Sequence, residues 1–439
     1  MRPSRRSFLT TTGAVLLARS ALQDAPSAHA ETTLPGEAQP RRTSFGINLH
    51  IDRFPPATAF LQLAHAKAAG VQSVRGLAAA FADILPSPGG WQFAKSDRDL
   101  DFMQTHGFDI YGGLGYGAAW ASVRDPNQLR NPRAWSKYPP DDLKVWEEYV
   151  NRTISRYRGR VHSWSPWNEP DSFGFFIPMP ASDGKRDEAA VAARRASYLD
   201  LQKITYLAAK RADPTVTLLS GGFAMGGDYD RGFLPWLIDN GLLDHCDVLE
   251  IHTYWSIKNL EDVINRAREL MRKAGKTRPI WVTEFGAALK SALAGPYIGS
   301  VEHDHIANMI PKALATALAF GVERFYWYQG YTEASAAVPL SNSEYSLSVT
   351  DGPTPAFWSF AATARLLRDA EYVGPASLQV MQGAAKGYLF KRVDGEVAIL
   401  WAVSPDGLDN KSASAQGRFN WRNQTIPIQL SERPTVMVA

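Results

Sequence analysis

The sequence predicts an α/β protein: a (β/α)8 TIM barrel followed by a small C-terminal β-sandwich. Three observations predict it. Strand-like and helix-like stretches alternate eight times between residues 44 and 370, and alternation of that kind closes a parallel sheet on itself. Two of the strand-like stretches, Val161 to Pro170 and Pro279 to Gly286, share one design: an apolar-rich run, a single carboxylate, then a breaking proline or glycine. After Ala370 helical spacing gives way to short runs separated by turn signals.

The elements follow in order. Ser44 to His50 reads as strand one and Ala57 to Ala69, closed by Gly70, as helix one. Val71 to Leu77 is strand two. Leu100 to His106 falls in a helix that Gly107 ends, and Phe108 to Leu114 is strand three. A loop bearing Trp120 and Trp135 runs from Gly115 to Pro140, and Asp141 to Arg158 is amphipathic, with Val145, Tyr149, Ile154 and Tyr157 on one side. It delivers the chain to strand four at Val161. A polar insertion, Asp171 to Glu188, precedes a long helix through Tyr198 and Arg211, which Asp213-Pro214 stops before strand five, Thr215 to Leu219. Phe233 to Asn240, Leu260 to Lys273 and Ile306 to Phe320 are the remaining helices; Val248 to Tyr254, Pro279 to Glu284 and Arg324 to Tyr328 are strands six to eight. No Gly-x-Gly-x-x-Gly turn follows strand one, which weakens an open dinucleotide-binding sheet.

The last 69 residues, 371–439, contain strand-like runs at Tyr388 to Arg392 and Val397 to Trp401 joined across Asp394-Gly395, a strong hairpin signal. Others follow at Arg418 to Trp421, Thr425 to Leu430 and Thr435 to Val438. Residues 31–43 form an N-terminal extension placed to add an edge. Trp91, Trp146, Trp164, Trp236, Trp281 and Trp358 are assigned to packing, since indoles bury large apolar areas.

In a parallel barrel, chemistry gathers at the carboxyl ends of the strands. Glu169 ends strand four and Glu284 ends strand seven. Two carboxyl groups about 5–5.5 Å apart suffice to cleave a glycosidic bond with retention, one protonating the leaving oxygen and the other attacking the anomeric carbon. Each alone has an ordinary explanation in a chain with 44 acidic residues. Together, on the ends of different strands, they point to a glycosidase.

Trp167-Asn168-Glu169-Pro170, Thr283-Glu284-Phe285-Gly286 and His252-x-Tyr254 resemble the clan A glycoside hydrolases. Tyr157-x-Gly159 and Asp351-Gly352-Pro353-Thr354-Pro355-Ala356-Phe357 most resemble family 39 and its neighbours. The resemblance implies Glu169 as acid/base and Glu284 as nucleophile. Arg75 matches the clan's arginine beneath the nucleophile, Tyr254 its hydrogen-bond donor, and Asn168 the asparagine that binds the sugar 2-hydroxyl. Trp327 matches the aromatic floor under the sugar. His252 contacts sugar, positions Tyr254 or is a satisfied core histidine. Asn48 and His50 bind hydroxyls or are plain strand-end residues. For Trp120, Trp135 and Trp255, sugar subsites and packing are equally open. The action expected is endo cleavage of an oligo- or polysaccharide. The competing readings are an exo-acting β-glycosidase such as a β-xylosidase, a non-catalytic carbohydrate-binding barrel, and a metal-dependent hydrolase or aldolase.

The ends and the charge limit the partners. Ser4-Arg5-Arg6-Ser7-Phe8-Leu9-Thr10 resembles a twin-arginine export signal, and Ala28-His29-Ala30 offers a cleavage site, so residues 1–30 are expected to be removed and the protein to be periplasmic or secreted. Without them the chain carries 43 basic and 43 acidic residues. A neutral carbohydrate fits that balance; nucleic acid and anionic membranes do not. Cys246 is the sole cysteine, so neither an internal disulfide nor a cysteine metal cluster is expected. No metal or other cofactor is called for, and no stretch after the signal reaches the ~18 apolar residues of a membrane span.

Overall fold

The computed structural model describes residues 42–122, 134–177, 188–225, 231–286, 301–331, 346–350, 352–404 and 413–439. The expected export signal and most of the 31–43 extension lie outside them. Eight parallel strands form the barrel: β1 (Ser44–Asn48), β2 (Ser73–Ala79), β3 (Asp109–Leu114), β4 (Ser163–Pro166), β5 (Thr217–Leu218), β6 (Leu249–Tyr254), β7 (Ile280–Gly286) and β8 (Arg324–Trp327). Their order is β5-β4-β3-β2-β1-β8-β7-β6. Parallel bridges Leu219 to Val248 and Phe223 to Ile251 join the two ends of that order and close the ring.

Eight principal helices accompany them: α1 (Pro56–Ala68), α2 (Ala94–Thr105), α3 (Leu143–Tyr157), α4 (Glu188–Ala212), α5 (Phe233–Asp239), α6 (Ile257–Lys273), α7 (Val301–Ala319) and α8 (Pro355–Leu367). Local chemistry explains their faces. In α3, Asp142 caps the first turn by accepting from the Lys144 amide at 2.9 Å, and Trp146, Tyr149, Val150, Thr153, Ile154 and Tyr157 form the buried stripe. In α6, Ile257, Leu260, Val263, Ile264, Ala267 and Met271 do the same.

The barrel interior is filled by side chains. Tyr111, Leu219, Val248, Trp281 and Tyr326 pack together inside it, and the Tyr326 hydroxyl bonds Ser73 at 2.7 Å. Gly46 is required there, because a Cβ would stand 2.5 Å from the Tyr326 ring.

The C-terminal sheets are antiparallel, after a two-residue ribbon of β9 (Ser348–Val349) and β10 (Gly352–Pro353). One contains β11 (Glu371–Pro375), β13 (Ala385–Arg392), β14 (Gly395–Ala402) and β17 (Thr435–Val438); the other contains β12 (Ser377–Gly383), β15 (Ser414–Trp421) and β16 (Gln424–Ser431). β14 shows why they stack. Its alternate residues Val397, Ile399 and Trp401 join the main core, while Ala398, Leu400 and Ala402 meet Ala415, Phe419 and Trp421 of β15. Period-two alternation thus gives one strand two buried faces.

Of the tryptophans assigned to packing, Trp358 is 60% exposed on α8 and corrects that assignment. Trp146, Trp164 and Trp281 are buried as expected.

Candidate active site

The exit from β4 is held in an uncommon backbone conformation. Trp167 and Glu169 have φ of 70° and 45°, a left-handed state that costs non-glycine residues of order 1 kcal/mol or more and persists only where packing over-determines it. Here it is over-determined. The Trp167 amide donates to Leu114 O at 2.6 Å and the Glu169 amide to Gly222 O at 3.1 Å. The Trp167 indole donates to Phe175 O at 2.7 Å, and buried Asp171 accepts from the Ala224 and Met225 amides at 3.2 and 3.0 Å. Burial, opposed by those two amides and reinforced by Glu169, pushes the Asp171 carboxyl up to about 6.

Glu284 faces Glu169 from β7. Its carboxylate accepts from Arg75 Nη1 and from the Tyr254 hydroxyl. Arg75 also donates to Asn48 Oδ1 at 3.1 Å and to Asn168 Oδ1 at 2.7 Å, and its guanidinium lies 5.5 Å from the Tyr111 ring centre. Burial alone would raise the Glu284 carboxyl. The His252 and Arg75 charges with the Tyr254 and Arg75 hydrogen bonds outweigh it and hold the group down at about 2. Glu284 is therefore ionised across the ordinary pH range.

His252 joins the two carboxylates. Its Nδ1 lies 3.1 Å from Glu169 Oε1 and 3.6 Å from Glu284 Oε2, while Nε2 meets Thr283 Oγ1 at 3.0 Å. One oxygen of each carboxylate and a His252 ring nitrogen all fall within 4.8 Å of one another. Such a trio can hold a cation. The Arg75 guanidinium already bound to Glu284 supplies the positive charge a metal would bring, so the donor set favours paired carboxylates over a metal centre. His252 needs a glycine beside it, because a Cβ on Gly222 would come within 2.0 Å of Nε2.

The remaining expected residues divide. Arg75, Asn168, His252 and Tyr254 converge on the pair. Asn48 is buried and donates to Thr283 O at 2.9 Å and Trp327 O at 3.3 Å, so it ties strands together beneath Arg75. His50 lies edge-on to Tyr328 at 5.9 Å, just past β1. Trp327 is 0% exposed and packs on Phe285 at 5.7 Å, so the expected stacking floor is instead core. Trp120 donates its indole N–H to Leu85 O at 2.8 Å and packs on Phe81. Trp255, with φ of 86°, is 45% exposed at the β6 exit. The Trp135 side chain lies outside the described residues. One member escaped the sequence reading: Glu250, fully buried on β6, accepts from Thr283 Oγ1 at 2.6 Å, Ser165 Oγ at 2.5 Å and the Tyr111 hydroxyl. Its signal was Glu250-x-His252-x-Tyr254, three polar residues on one strand face.

Known proteins resemble the chain in part of its sequence and in its fold. Residues 162–359, from the start of β4 into α8, match the family model described as glycosyl hydrolase catalytic core. That match takes in both Glu169 and Glu284. A family 39 glycoside hydrolase from Bacteroides cellulosilyticus has a similar fold, with a TM-score of 0.66 at 18% identity over 91% of this chain and 81% of that one. A monomeric β-xylosidase from Caulobacter crescentus superposes with a TM-score of 0.57 at 16% identity, covering 83% and 75% of the two chains. Endo-1,4-β-xylanase C from Paenibacillus barcinonensis is 20% identical over 273 residues. That match takes in 61% of this chain, which spans only 20% of the xylanase's length. At these identities the solved structures establish the fold alone. Among the described residues no helix is long and apolar enough to cross a membrane.

Proposed function

We propose that the protein is a glycoside hydrolase, near family 39, that cleaves O-glycosidic bonds of a neutral oligo- or polysaccharide with retention, Glu284 as nucleophile and Glu169 as acid/base. The observation that carries the reading is the carboxylate pair itself, with oxygens within 4.8 Å of each other. Retention calls for carboxyl groups about 5–5.5 Å apart, whereas inversion needs about 6.5–9.5 Å to admit a water. The supporting charges divide the roles. Glu284, held ionised by Arg75 and Tyr254, is ready to attack. Glu169, in contact with the His252 imidazole, is the group proposed to exchange a proton. Asn168, anchored by Arg75, stands beside the acid where a sugar hydroxyl would sit.

Two measurements test this. Proton NMR of the first-formed product from an anomerically pure substrate should show the substrate's configuration, and an inverted product would overturn the mechanism. Glu284→Gln should lower kcat by at least about 10³-fold with little change in thermal stability, since it removes the nucleophile at small steric cost; near-wild-type turnover would sink the assignment.

Endo cleavage remains the preferred mode, supported by the exposed Trp255 platform and the similarity to a protein described as an endo-xylanase. Burial of Trp327 removes one expected platform and favours the exo β-glycosidase reading instead. Chromatography of early products separates the two, because single sugars released without a fall in polymer length mean exo action. Export through the twin-arginine-like segment is part of the proposal, tested by fractionating cells that express Arg5→Lys/Arg6→Lys.

A further inference from the structure

We infer that Glu250 is a positioning residue for the acid/base: from two residues earlier on β6 it fixes His252 as a cation through Thr283, and so aims the Glu169 carboxyl at the leaving oxygen. This rests on the glycosidase reading above. Glu250 is fully buried, and its two oxygens are held by three hydroxyls, those of Thr283, Ser165 and Tyr111. Donors on every side keep it a carboxylate, and a charge so deep requires a counter-charge nearby. The nearest is His252, whose Nε2 is 3.8 Å from Glu250 Oε1.

Proton counting then sets the ring. Thr283 has one hydroxyl proton, and it goes to Glu250. Toward His252 its oxygen is left only as an acceptor, so Nε2 carries a hydrogen. Nδ1 therefore points at the Glu169 and Glu284 carboxylates. As an imidazolium, His252 donates from Nδ1 to Glu169 Oε1, which assigns the transferable proton to Oε2. The groups facing this pair are Arg75 from β2, Tyr111 from β3, Ser165 on β4 and Glu169 just past it, Tyr198 from α4, Tyr254 on β6, and Thr283 and Glu284 from β7. Burial and Arg75 oppose the imidazolium, but Glu284, Glu169 and Glu250 outweigh them and lift His252 to about 9. The sign follows: His252 is a cation below that value, and removing the Glu250 charge lowers it.

Histidine-labelled protein read by nitrogen NMR tests the idea without any substrate, the His252 signal being the one lost in His252→Gln. In the wild type the ring should stay imidazolium through pH 8, and in Glu250→Gln its midpoint should fall by about one pH unit. The alkaline limb of kcat/KM should move the same way, with kcat reduced more than KM is raised. A wild-type ring already neutral at pH 7, or one midpoint shared by both proteins, overturns the inference. The wild-type spectrum decides even if Glu250→Gln fails to fold. Inactive wild-type enzyme with a charged His252 would instead count against the glycosidase reading and leave this electrostatic link standing.

Discussion

Gly222 does for the site what no side chain can. A Cβ there would lie 2.0 Å from His252 Nε2, and its carbonyl receives the Glu169 amide at 3.1 Å. Gly222→Ala must therefore push the imidazole away from Thr283 and Glu169 together. Misplacing a catalytic group by about 1 Å costs on the order of 10² in rate, so kcat should fall by about that factor while the unfolding transition moves only a little. Steady-state kinetics beside a thermal melt check it, and unchanged kcat would mean that the imidazole position is not critical. The same scale shows what the sequence reveals. Glu169 and Glu284 are legible because each ends an apolar run, and Arg75 and Tyr254 because they match a known pattern. Glu250 is not, since between Leu249 and Ile251 it reads as an ordinary strand residue until the register of β6 turns it inward. Trp327 misleads for the converse reason: its place at the end of β8 is right, but its ring is fully buried, with Phe285 of the neighbouring strand edge-on to it.

Elements whose apolar spacing is regular stand where the sequence puts them, to within a few residues. α2 begins at Ala94, six residues before the expected core of that helix, because its first turns are polar, Ser96 and Asp99 being buried there without an apolar signal. β5 shrinks to two residues, since Ser220-Gly221-Gly222 interrupts the ladder and the chain regains it only through the bridge at Phe223. α8, β11 and β12 went unread, the two strands being largely exposed and lacking a clean alternation. At the β6 exit the chain turns straight into α6 through a local cap. Ser256 Oγ accepts from the Asn259 amide at 3.1 Å, and the Asn259 side chain donates to Thr253 Oγ1 and Tyr254 O, both at 2.8 Å. Ser256→Ala should cost about 1 kcal/mol in urea unfolding, the usual worth of an N-cap. kcat/KM should change less than about twofold, because Asn259 still holds the strand; a tenfold loss would show that the cap itself positions Tyr254.

At the scale of the whole molecule, the C-terminal sheets share their core with the barrel. Tyr388, Phe390, Val397, Ile399 and Trp401 belong to the same buried cluster as the barrel helices. Two polar contacts pin the junction. Lys386 and the Tyr388 hydroxyl donate to Glu261 on α6. Deeper in, Glu432 accepts from Lys312 Nζ at 3.2 Å and Asn308 Nδ2 at 3.3 Å of α7, with His305 Nδ1 3.5 Å away. Lys312 is completely buried. An ion pair of this kind adds little net stability against an apolar replacement, but removing one partner strands the other charge and costs about 3–5 kcal/mol. Glu432→Ala should thus lower stability by that amount in urea titrations, and Glu432→Leu combined with Lys312→Met should recover much of it by removing both buried charges. Because the apolar core is continuous across the junction, both parts should unfold in one transition in the wild type. If Glu432→Ala left stability within about 0.5 kcal/mol of wild type, the size of change usual at unremarkable surface positions, the pair would not be holding the sandwich to the barrel, and the apolar contacts of Trp401 and Tyr388 would have to do so alone.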